Sequence, residues 1–136
     1  MIFIKKQDYL DIIDYAVQGL PNEACGLLGG EIDGDRKFIK KIYYLTNVDA
    51  SREHFSMDPK EQFEAIKDMR KEGLQMIGNF HSHPESPSRP SEEDKRLAYD
   101  SKIRYLILSL MNRKQPVLRA FEIKEGQVST EEIQLI

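Results

Sequence analysis

The sequence predicts an α+β fold, a mixed β-sheet sandwiched by helices, from three observations. Two stretches repeat apolar residues at helical spacing. Several runs are rich in Ile, Leu, Val, Phe and Tyr and are bounded by turn residues. Some of these runs sit close enough to form hairpins, so strands and helices do not simply alternate. The chain of 136 residues is long enough to bury a core without staples, and is expected to be one domain spanning 1–136.

Taken in order, "IFI" at the start reads as a short strand. In "DYLDIIDYAVQGLP", Leu10, Ile13, Ala16 or Val17, and Leu20 recur at helical spacing, which predicts an amphipathic helix stopped by Gly19 and Pro21. "CGLLGGEIDGDRKFIKKIYYLTN" holds two strands around the turn residues Asp33 and Gly34. "NVDASREHFSMDP" reads as loop. Asp58, Pro59 and Glu61 then form a helix start: a cap, a proline at the first position and an acid in the first turn. Phe63, Ile66 and Met69 are the expected inward stripe of that helix, and Gly73 its end. "LQMIGNFH" and "RYLILSL" read as buried strands, with a short helix in "SEEDKRLAYD" between them. "VLRAFEI" and "QVSTEEIQL" suit a C-terminal hairpin turned at Gly126.

Composition removes several classes of function. The net charge of −3 mixes both signs along the chain and leaves no clustered basic footprint for nucleic acid. No apolar run approaches the ~20 residues of a membrane span, so no membrane partner is expected. The N-terminal "MIFIKKQDYL" lacks the long apolar region of a signal peptide, and a cytoplasmic location is expected. A single cysteine, Cys25, excludes an intrachain disulfide and a thiolate metal cluster. It reads as a small buried residue rather than a nucleophile. Any metal must be held by His, Asp or Glu.

Two of the three histidines fall in "NFHSHPESPSRPSEED". Side chains two apart on a strand share a face, so His81 and His83 point the same way. Pro84 ends the ladder, and the proline-rich loop is stiff enough to present a third ligand at a fixed place. Asp94 is the natural candidate. Two imidazoles and one carboxylate leave a tetrahedral zinc one open position, where a water's pKa falls to roughly 7. Glu85 follows Pro84 directly and is expected to point elsewhere. H-x-H alone is a weak signal, and Ser91-x-x-Asp94 is also a capping box. The combination carries the metal reading. Glu23, between a helix end and a strand in "LPNEACGLLGG", is a candidate base whose pKa burial would raise, although local sequence alone favours a solvated loop acid. Ser91 could donate to a developing oxyanion beside the metal. His54 reads as a loop histidine without a metal role.

Together these residues resemble the JAMM (MPN-plus) metalloprotease family. Its pattern is an upstream glutamate, then H-[ST]-H-P, seven residues after the second histidine, S, two residues and D. Here Glu23 precedes "HSHP" at 81–84, residues 84–90 make up the seven, and Ser91 and Asp94 follow. "NEACGLLGG", Asn47 and "FSMDP" also fall where that family has similar residues. The resemblance implies a cytidine-deaminase-like mixed sheet flanked by helices. It implies zinc (Zn2+) on His81, His83 and Asp94, with Glu23 as general base and Ser91 as oxyanion stabiliser. It further implies an isopeptidase or peptidase acting after the C-terminal Gly-Gly of a ubiquitin-like or sulfur-carrier protein. Two other readings are a non-catalytic scaffold of the same fold, against which the intact ligand set argues, and a RadC-like protein linked to DNA repair. RadC-like proteins usually read H-N-H-P-S-G where this chain has "HSHPESP".

Overall fold

The computed structural model describes all 136 residues. The elements run β1 (Ile2–Ile4), α1 (Lys6–Gln18), β2 (Cys25–Asp33), β3 (Arg36–Leu45), α2 (Pro59–Lys71), β4 (Gln75–His83), α3 (Glu92–Arg96), β5 (Arg104–Ser109), β6 (Val117–Lys124), β7 (Gln127–Glu131) and β8 (Ile133–Leu135). The eight strands form one mixed sheet in the order β7-β6-β5-β4-β2-β3-β1-β8. The expected α+β class, a mixed sheet with flanking helices, is what forms. No helix is long and apolar enough to cross a membrane.

The hairpins turn where glycine permits them. Gly34, at φ 60°, begins the β2–β3 turn as its first central residue, and Glu125 and Gly126, at φ 52° and 78°, turn β6 into β7. Positive φ at those positions matches the right-handed twist of the strands they join. α2 starts as the sequence predicts: the Asp58 side chain accepts from Lys60 N and Glu61 N, with Pro59 in the first turn. α1 begins two residues before the predicted stretch and ends at Gly19, its C-cap.

Alternation along the strands divides the core between two faces. Leu28, Phe80, Leu106 and Leu108 pack with Ile12 and Ala16 of α1. Cys25, Leu27 and Leu45 pack with Ala65 and Met69 of α2. Ile107 and Phe121 extend that second face toward Ala98, beyond α3. Two inward-stripe expectations fail. Leu10 is 42% exposed and Phe63 is 65% exposed. In each helix the buried line is a pair four residues apart, Ile12/Ala16 and Ala65/Met69, in which alanine lets the helix approach the sheet closely. Ile66 and Met69 do face inward, as expected.

The C-terminal strand pairs differently from the simple hairpin expected. β7 pairs with β6, and after Glu132 the chain pairs with β1 as β8. One stretch of chain therefore lies at both edges of the sheet. Glu131 clasps it there, accepting from Arg104 Nε at 2.6 Å, Lys37 Nζ at 3.0 Å and the Met1 ammonium at 3.1 Å. Burial alone would raise the Glu131 pKa, but these three cations outweigh it and bring it down to about 2.

Candidate metal centre

β4 is buried on both faces and carries the histidines at its end. Phe80 and Ser82 face α1, so His81 and His83 face the α2 side. Pro84 ends the ladder, and Leu110 N closes on His83 O at 2.9 Å. The loop folds back so that α3 delivers Asp94. His81 Nε2 and His83 Nε2 lie 3.1 Å apart, and Asp94 Oδ2 lies 3.1 Å from the first and 3.2 Å from the second. Metal–ligand bonds of 2.0–2.1 Å in tetrahedral geometry put ligand atoms about 3.3–3.4 Å apart. The three atoms thus already outline one face of such a tetrahedron, and these three residues are a group able to hold a metal ion. The donor set is nitrogen and oxygen, as zinc accepts.

The surroundings hold the ligands in a metal-ready form. His83 Nδ1 lies 2.9 Å from Pro87 O, which places its proton on Nδ1 and leaves Nε2 free to ligate. Phe55 stacks on His81, with ring centroids 4.6 Å apart. Burial depresses the His81 pKa and keeps its ring neutral. Burial acts in the same direction on His83, but Asp94 and the Pro87 carbonyl outweigh it and raise the pKa. Asp94 is buried enough to be pushed upward, yet the two imidazoles and Ser91 N–H hold it well below the usual carboxylate range.

Ser91 plays the capping role and remains available for another. Its Oγ accepts Asp94 N–H at 3.0 Å, while Asp94 Oδ2 accepts Ser91 N–H at 2.9 Å. The hydroxyl proton is therefore free to donate. The capping box fixes Asp94 toward the histidines, so both readings of S-x-x-D hold at once.

Glu23 sits between α1 and β2 and is only 6% exposed. It lines the same cavity as His83 and Ser91. Burial, the largest influence, pushes its pKa to about 8, with Asp94 adding to the rise and His83 opposing it. Its anchors are backbone ones: Glu23 N donates to Ser51 O at 2.7 Å, and Asn47 Nδ2 donates to Glu23 O at 3.0 Å. The serine between the histidines contributes from the opposite face. Ser82 Oγ accepts Ala24 N–H at 2.8 Å, and Ser82 N donates to Ala24 O at 3.0 Å. That pair locks the Glu23 segment in register with the histidines.

All five predicted residues thus converge. Glu85 is not part of the ligand group, as expected: it lines the cavity of Glu23 and Ser91, but is 67% exposed and 3.7 Å from Arg52. His54 pairs with Glu93 at 2.6 Å and stays outside the cluster. Cys25 is fully buried; desolvation pushes its thiol to about 12, so it is inert. Sequence reasoning assigned no role to Phe55, Pro87 or Ser82, and did not see what Asn47 does. Asn47 uses both ends of its amide: Nδ2 donates to Glu23 O and His54 O, and Oδ1 accepts from Asp49 N and Ser56 N. It ties the loop over the site to the Glu23 backbone. An asparagine right after a strand and before a long loop was the available signal.

Known proteins resemble this chain along most of its length. The model of the prokaryotic homologs of the JAB domain matches residues 5–124. The chain belongs to this family. It is 26% identical over 125 residues to the CysO-cysteine peptidase of Mycobacterium tuberculosis, covering 92% of this chain and 84% of that protein. It is 33% identical over 103 residues to a desampylase of Haloferax volcanii, covering 72% and 73%. The solution structure of a Desulfitobacterium hafniense protein superposes with a TM-score of 0.92 at 54% identity, over 100% of this chain and 93% of that one. The curated JAB-family relatives are hydrolases by name.

Proposed function

We propose that this JAB-family protein is a zinc-dependent isopeptidase or peptidase that cuts after the C-terminal Gly-Gly of a ubiquitin-like or sulfur-carrier protein. One observation carries the reading: Glu23 and Ser91 share a cavity with His83, at the edge of the ligand triangle. His81, His83 and Asp94 would hold the zinc, which when bound supplies Lewis acidity to a water and to the scissile carbonyl.

The remaining roles belong to the chain. Glu23 takes a proton from the attacking water as its oxygen bonds to the carbonyl carbon. It returns that proton to the nitrogen as the C–N bond breaks. A carboxylate raised by burial suits both halves of that transfer. Ser91 O–H donates to the developing oxyanion. Asn47 and Ser82 anchor the Glu23 segment beside the histidines.

Glycines fit because a side chain would collide with Ser91 and the proline-stiffened loop beside the ligands. The relatives named as acting on CysO–cysteine, and as desampylase, support a substrate of this kind. The test is a set of fusions to a small ubiquitin-like carrier with Gly-Gly or Val-Val junctions. The Gly-Gly fusion is expected to be cut preferentially, with cleavage abolished by chelator and by a His81→Ala, His83→Ala double substitution, and restored to the wild type by zinc. Equal cleavage of both junctions would refute the substrate; cleavage indifferent to chelator would refute the metal.

A further inference from the structure

The two candidate ligand histidines are supported unequally. His83 has the Pro87 carbonyl on its Nδ1. His81 has nothing: its Nδ1 is buried without a hydrogen-bond partner, in a residue only 2% exposed. With Nε2 committed to the ligand triangle, the ring proton belongs on Nδ1, so this is an orphaned donor. A second orphan lies nearby. Asn79 Oδ1 is buried and accepts from no protein group.

Asn79 and His81 are two apart on β4 and share a face. Both line a cavity of about 350 Å3 beside the cluster, bounded also by Phe55, Met57, Gln62 and Tyr105. Residues two apart on a strand are separated by roughly 6.6 Å along it. The two orphaned atoms do not bond each other directly, so a bridge between them needs a water. A polar, roomy site with a donor and an acceptor to satisfy is where an ordered water is held.

We propose that Asn79 is a positioning residue for His81. His81 Nδ1–H donates to a water in this cavity, and that water donates to Asn79 Oδ1. The relay does for His81 what Pro87 O does for His83: it fixes the tautomer, orients the ring and raises the basicity of Nε2. This rests on the metal reading above. Such outer partners typically change metal affinity by ~10–100-fold.

The experiment measures zinc affinity by competition with a fluorescent chelator, and the Tm of the metal-free protein, for wild type, Asn79→Ala, Asn79→Leu and Asn79→Asp. The first two substitutions remove the acceptor, leucine at nearly constant volume; aspartate keeps it. Asn79→Ala and Asn79→Leu are expected to weaken zinc about 10–100-fold. Asn79→Asp is expected to hold it at least as tightly as wild type, and all four metal-free Tm values are expected to agree within a few degrees. Leucine alone carries the test should the alanine variant not fold. Unchanged zinc affinity in Asn79→Leu, or equal weakening in Asn79→Asp, overturns the relay while leaving the metal site standing. Failure of the wild type to bind zinc overturns both.

Discussion

Two charged clusters lie toward opposite ends of β4 and β5, and they are built on opposite principles. At the Arg104 end, beside Gly78, three cations meet two carboxylates: Glu131 with Arg104, Lys37 and the Met1 ammonium, and Glu122 with Arg104 at 2.8 Å. At the His83 end, beside Ser109, neither Glu23 nor Asp94 pairs with a lysine or arginine; Asp94 meets the two imidazoles and Ser91 N–H. The first cluster is compensated from within and ties the C-terminal stretch to β5, β3 and the N-terminus. The second is short of positive charge and converges three lone pairs on one point. Internal compensation stabilises a fold; its absence, inside a preformed triangle, fits a cation from outside.

The largest effects should separate the two ends cleanly. Glu23→Gln is expected to lower turnover of a Gly-Gly fusion by ~10²–10⁴-fold, with zinc content and fold retained. Metal analysis and circular dichroism on the same sample check the retained part. Near-native turnover would remove Glu23 from the chemistry. Ser91→Ala should cost ~10²-fold in kcat, the usual worth of one oxyanion donor, together with about 1 kcal/mol for the lost cap. A loss confined to stability would reduce Ser91 to its capping role.

Glu131→Gln should do the reverse. It leaves Lys37 and Arg104 partly buried without their shared partner, which should cost about 2 kcal/mol, or roughly 5–10 °C in Tm. Kinetic constants measured below the transition should stay at wild-type values. A variant that melts normally but loses activity would mean the two ends are coupled.

The pH response sharpens the contrast. Glu131 is lowered to about 2, so its stabilisation is present above its ordinary value of 4.5 and is lost as pH falls from there toward 2. Glu23 is raised to about 8, so in the metal-free protein the fold favours its protonated form, and stability is lost as pH climbs from 4.5 to 8. The Tm deficit of Glu131→Gln should therefore shrink in acid. Metal-free Glu23→Gln should gain on wild type at pH 8 relative to pH 5. Parallel melting curves for wild type and Glu23→Gln across that range would show that Glu23 is not held protonated.

Much of the site was legible because its spacing is rigid. A strand fixes His81 and His83 on one face, and a capping box fixes Asp94 relative to Ser91. Glu23 was legible only through family resemblance, since nothing local says that Ser82 and Asn47 will dock its segment against the histidines. Those contacts join residues that are tens of positions apart. The fold divided in the same way. Helix and strand positions followed from period, cap and turn residues. The phase of the buried stripes followed only in part: Ala16 and Met69 face inward as expected, but Ile12 and Ala65 hold inward places where Leu10 and Phe63 were expected. Nor could a local pattern foretell that the last strand would leave β6 at Glu132 to join β1.

α3 contributes no buried residue. Its single turn is held by its own capping box and, through Asp94, by the two imidazoles. A helix so short and so poorly packed opens at low free energy, unlike the strands behind it. Amide protons between Pro84 and Ala98 should therefore exchange with solvent on the timescale of local opening, and those of β4 and β5 only on that of global unfolding. An ion gripped by Asp94 would stitch the first segment to the second. Its occupancy becomes the lifetime of the closed loop, and chelation would hand that segment to a protease while the sheet stays intact.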